Sequence, residues 1–127
     1  MEWSFRGDQP IYTQLVQRIK QAIVSGELQK GQRLPSVRDL ATEAGVNPNT
    51  MQRALQELER EGMVFSQRTA GRFVTEDEKL IDGAKRAFAA EHIRVFLDGM
   101  SKLGYGREEI FSLLREEKED DHGDSGM

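Results

Sequence analysis

Between Ser36 and Gly62 the chain reads SVRDLATEAGVNPNTMQRALQELEREG, a pattern few folds accommodate. Ser36 followed three residues later by Asp39 has the form of a capping box. It opens a short helix through Ala44 whose apolar positions, Val37, Leu40, Ala41 and Ala44, share one side. Gly45 and Val46 leave room only for a tight turn. Asn47 then caps another helix, with Pro48 at its first position and Gly62 ending it after Glu61. Two short helices joined by a glycine-containing turn make a helix-turn-helix.

The flanks extend this unit on both sides. Asp8, Gln9 and Pro10 start an earlier helix over about 10–25, with Ile11, Leu15, Ile19, Ala22 and Ile23 at helical spacing and Gly26 as terminator. GELQKGQRLP reads as a connection in which Pro35 pushes Leu34 to an extended conformation. After Gly62, a first strand over Met63–Ser66, a polar turn over Gln67–Gly71 and a second strand over Phe73–Thr75 form a hairpin, the wing of a winged helix. Thr75 with Glu78 has capping-box spacing and opens a long helix over about 76–103. A break at Leu103–Gly106 precedes a last helix over about 107–118. The expected fold is α+β and mostly α. It comprises a winged helix-turn-helix over 9–76, a two-helix dimerisation appendage over 77–118 and a disordered acidic tail over 119–127.

Composition narrows the function classes. With 127 residues and no cysteine, the chain offers neither a disulfide scaffold nor a thiolate metal site or thiol nucleophile. Its apolar runs are too short to span a bilayer, and MEWSFRGD lacks the basic start and apolar core of a signal peptide, so a cytoplasmic protein without membrane contact is expected. The net charge of −4 speaks against nucleic acid until its distribution is considered. Residues 1–75 carry 10 basic and 8 acidic side chains, a net of +2. The remainder carries 8 and 14, a net of −6.

On the helix after Asn47, an advance of about 100° per residue centres the apolar face on Met51, with Ala54, Leu55 and Leu58. Asn49, Gln52, Arg53 and Gln56 lie opposite, with Thr50 at their edge. No carboxylate occurs between Asn47 and Gln56, although Glu57, Glu59 and Glu61 crowd the far end. A helix whose N-terminal half enters the major groove needs this arrangement, because Arg pairs with guanine and Asn or Gln with adenine. An isolated polar face would more often be mere solvent surface; the capped helix before it and the hairpin after it reverse that preference. Arg38, in the first turn of the preceding helix, suits a phosphate. Arg68, Gly71 and Arg72 at the hairpin tip and its exit suit the minor groove or adjacent phosphates.

The segment PIYTQLVQRIKQAIVSGELQKGQRLPSVRDLATEAGVNPNTMQRALQELEREGMV, with SQRTAGRFV after it, resembles the GntR family of bacterial transcription regulators. The short appendage is similar to that of the YtrA-type subgroup. The resemblance implies a homodimeric repressor on a two-fold symmetric operator of double-stranded DNA. Its DNA contacts would fall on Arg38, Asn47, Asn49, Thr50, Gln52, the tip around Arg68 and Thr69, and Gly71; Arg53 is added by the helical wheel. Several family members have Arg where this chain has Pro48 and Gln52, so their base preference does not transfer. The 52 residues from 76 onward are too few for the large effector or aminotransferase-like domains of other members.

In the long helix the apolar stripe changes side near Glu91. Leu80, Ala84, Ala87, Phe88 and Val95 form one stripe; Ala89, Ile93, Phe96, Leu97, Met100 and Leu103 form another. The first should pack on the winged domain. The second should pack with the last helix and a partner chain, which makes Ile93, Phe96, Leu97, Met100, Leu103, Ile110, Phe111 and Leu114 the dimerisation residues. Catalysis is not expected, because His92 and His122 stand alone without ligand-spaced partners; no cofactor and no metal are implied. A protein-docking winged helix is the alternative class. A small-molecule effector in the apolar dimer region stays open, with no convergent polar site to hold it.

Overall fold

The computed structural model describes the backbone of residues 1–120 and the side chains of residues 1–117. Two compact units divide it, one from Met1 to Phe88 and one beginning at Ala89.

The first unit is built on α1 (Ile11–Ser25), α2 (Val37–Ala44) and α3 (Pro48–Arg60). Pro10 is the N-cap of α1 with ψ 141°, so it stands one place outside the helix rather than at its first position. The buried face of α1 is Leu15, Val16, Ile19, Ala22 and Ile23; Ile11, expected on that face, is exposed at the helix start. In α2 the Ser36 side chain accepts from the Asp39 N–H, as the capping pair implies. Gly45 (φ 72°) then turns the chain through the left-handed region that its missing Cβ opens, and Val46 N–H donates to Ala41 O at 3.0 Å. In α3 the Asn47 side chain accepts from the Asn49 N–H, and Met51, Ala54, Leu55 and Leu58 are fully buried, the face expected from the periodicity. They meet α1, Leu40 and Ala41 in a single core that also takes in Met63, Val64 and Val74.

The wing is β1 (Val64–Gln67) paired antiparallel with β2 (Gly71–Val74), in the register Val64↔Val74 to Gln67↔Gly71. The second strand begins two residues before the expected Phe73, because the tip needs only Arg68–Ala70, closed by Ala70 N–H to Gln67 O at 3.1 Å. The supposed connection before α2 is also more ordered than its glycines suggest. Arg33 bridges Phe73 antiparallel, Leu34 N–H donates to Arg72 O at 2.9 Å and Val74 N–H to Gln32 O at 2.8 Å. Met1, Trp3 and Phe5 pack on the core from a segment that carries no helical or strand pattern, and Trp3 Nε1 donates to Glu43 at 2.7 Å.

α4 runs Glu78–Lys102. Its cap is Asp77, whose Oδ1 accepts from Lys79 and Leu80 N–H, whereas the expected cap, Thr75, is buried and accepts from Asp77 N–H. Leu80, Ile81 and Ala84 pack against the core, which carries the first unit past residue 76 to Phe88. Val95, assigned to the same stripe, is exposed.

In the second unit α4 ends at a turn with Gly104, and α5 (Arg107–Asp120) follows. Ile110 is buried and Leu97 and Met100 are half-buried, while Ile93, Phe96, Leu103, Phe111 and Leu114 are exposed, Leu103 by 74%. α5 extends two residues past the expected onset of the acidic tail; the rest of that tail, 121–127, lies outside the described residues.

Candidate nucleic-acid interface

Packing decides which part of α3 is free. With Met51, Ala54, Leu55 and Leu58 facing the core, Asn49, Arg53 and Gln56 stand exposed, and Gln52 and Thr50 are half-buried on either side. Asn47 has already spent its side-chain oxygen on the Asn49 N–H at 2.7 Å, so only its amide NH2 is left to donate outward. The Arg53 guanidinium lies over the Tyr12 ring, 3.7 Å from its centroid. A cation over an aromatic face is held without losing its charge or its donors.

The three glutamates that crowd the end of α3 are each matched by a cation. Arg60 binds Glu57 through both Nε and Nη2, Lys20 pairs with Glu61, and Arg72 Nε donates to Glu59, which also accepts from Ser66 Oγ at 3.0 Å. The Arg60 hydrogen bond holds the Glu57 carboxyl down at about 2. The Arg72 hydrogen bond likewise holds Glu59 below the usual carboxylate range. Each of the three is paired with a cation, so this end of α3 projects little negative charge toward a polyanion.

The wing divides its candidate residues into two groups. Arg68 and Thr69 are exposed at the tip and Gly71 at its exit, whereas Arg72 is only 19% exposed and turned in to Glu59. Arg72 therefore ties β2 to α3. Thr69 has φ 63°, the only non-glycine residue with positive φ among the described residues. Arg38 is exposed at the start of α2. Among the described residues Arg33, Arg38, Arg53 and Arg68 form no ion pair with a carboxylate. Tyr12 and Arg33 were missed by periodicity, because one belongs to the edge of a core helix and the other to an apparent linker.

Among the described residues no helix is long and apolar enough to cross a membrane. A core of three helices, a capped second-to-third helix turn, a two-stranded wing and a carboxylate-free face carrying the exposed Arg53 define a winged helix-turn-helix DNA-binding protein. The chain belongs to the gntR family of bacterial regulatory proteins, whose family model matches residues 11–74. It is similar to the HTH-type transcriptional regulator YhcF of Bacillus subtilis (strain 168), 38% identical over 115 residues that make up 91% of this chain and 95% of YhcF. It is also similar to the HTH-type transcriptional repressor YtrA of the same organism, 34% identical over 87% of this chain and 86% of YtrA. A solved GntR family transcriptional regulator from Listeria monocytogenes superposes with a TM-score of 0.79 at 38% identity, covering 88% of this chain and 98% of that one. The structure of AraR(DBD) in complex with operator ORX1 matches with a TM-score of 0.54 at 28% identity, over 59% of this chain and 96% of that one. The chain is thus a DNA-binding transcriptional regulator of the YtrA type.

Proposed function

We propose that the chain is a homodimeric repressor that binds a two-fold symmetric operator, with the exposed face of α3 in the major groove and the wing tip on the adjacent minor groove. Asn49, Gln52 and Arg53 read base edges. Asn47, Thr50 and Arg38 hold phosphates or the groove edge, and Arg68, Thr69 and Gly71 approach the minor groove. Arg72 positions the wing through Glu59 instead of touching DNA. The observation that carries this reading is the carboxylate-free face of α3, flanked by three glutamates that are each neutralised by Arg60, Arg72 or Lys20. The reading of repression is supported by the similarity to the repressor YtrA, and that of operator binding by the similarity to AraR(DBD) in its operator complex.

Footprinting on the DNA upstream of the chain's own gene cluster tests it. We expect a protected site of two half-sites about one or more helical turns apart, bound with an affinity that falls steeply with salt. Arg53→Ala should cost roughly 1–3 kcal/mol and relax preference at one base position in each half-site. A promoter fusion should show higher transcription without the protein. Salt-insensitive binding, or undiminished affinity in an Arg38→Ala/Arg53→Ala double variant, would overturn the DNA reading in favour of protein docking.

A further inference from the structure

Gly71 starts β2 with φ 107°, a conformation side chains rarely adopt. The space its Cβ would take is filled: an atom there would lie 3.2 Å from Arg33 Nε, 3.6 Å from Nη2 and 3.8 Å from Cζ. The Arg33 guanidinium is therefore seated against the backbone of the wing exit. Its own backbone is fixed by the bridge to Phe73 and by the Leu34 N–H to Arg72 O bond. Arg33 thus reaches the wing from a third, adjoining segment, opposite β1 across β2.

The residue is exposed, and among the described residues it has no carboxylate partner. Several other cations of this unit are committed: Arg18 to Glu27, Lys20 to Glu61, Lys30 to Glu78, Arg60 to Glu57 and Arg72 to Glu59. A guanidinium keeps its charge at any working pH and presents a planar fork of donors that matches a phosphate. Holding it against a glycine next to the tip restricts its side chain before any ligand arrives.

We infer that Arg33 is a phosphate anchor of the wing, binding a backbone phosphate of duplex DNA beside Gly71 and adding affinity without base preference. The inference rests on the DNA-binding reading above and extends it to a residue outside both the recognition helix and the hairpin.

Fluorescence anisotropy over a salt series tests it, on a random-sequence duplex and on the footprinted duplex, with thermal unfolding of each variant alongside. Arg33→Ala is expected to weaken binding to both duplexes by the same several-fold factor. It should also lower the slope of log K against log salt by about 1 per bound protomer. Arg33→Lys, which keeps the charge, should retain the slope, and neither variant should shift the unfolding midpoint. An Arg33→Ala slope equal to that of the unaltered protein overturns the inference. So does a lowered unfolding midpoint that Lys fails to restore, which would make Arg33 a brace for the hairpin. A flat salt profile for the unaltered protein on both duplexes would sink the DNA-binding reading itself, a result separate from any failure of Arg33.

Discussion

Thr69 shows how much a single residue can hide. A β-branched side chain in the left-handed region costs on the order of 1–2 kcal/mol relative to a residue suited to it, and nothing about threonine announces that conformation. The hairpin register demands it, because three residues must close the tip between Gln67 and Gly71. Thr69→Asn should stabilise the protein by up to about 1 kcal/mol, read as a raised urea midpoint at constant m-value, since asparagine tolerates positive φ. Arg53 is a second residue only half legible. Its place on the polar face followed from helical spacing, but the Tyr12 ring beneath its guanidinium lies on another helix. Arg72 looked like a further wing cation and is instead turned in to Glu59, a partner thirteen residues earlier on a helix that periodicity describes only by itself.

At the scale of elements, the caps written into the chain were the most readable features. Ser36 and Asn47 bond the backbone N–H groups that their positions require, because a cap is a local bargain between neighbours in sequence. Thr75 and Asp77 competed for the same role. Asp77 won because strand pairing from Thr75 N–H to Met63 O, at 2.9 Å, draws Thr75 into the core. The join between wing and α3 depends on Glu59 and Arg72, and so on pH. The carboxyl of Glu59 titrates lower in the folded state than its ordinary 4.5, so the pair adds stability that is present above that value and lost as pH falls through the lower one. Thermal midpoints should therefore drop as pH falls from about 6 to about 3, and Glu59→Gln should flatten part of that dependence. An equal slope in the variant would mean that other carboxylates carry it.

For the whole molecule, the second unit raises the question of what covers its apolar side chains. Ile93, Phe96, Leu103, Phe111 and Leu114 are exposed large apolar side chains, and we propose that a second copy covers them. If a second copy covers them, sedimentation should give a dimer at micromolar concentration. A Phe96→Asp/Phe111→Asp variant should sediment as a monomer that keeps its helical content and loses most of its operator affinity. A monomeric unaltered protein would refute the dimer.

The order of helices, the helix-turn-helix, the hairpin and the apolar face of α3 were determined by the chain alone. Capping, turn chemistry and the 3.6-residue period act between residues a few positions apart. The stacking of Tyr12 under Arg53, the turning in of Arg72 and the seating of Arg33 on Gly71 were decided only by tertiary structure. Each joins groups on separate segments, and pairing at such range is set by how the core packs those segments, a quantity no local pattern encodes.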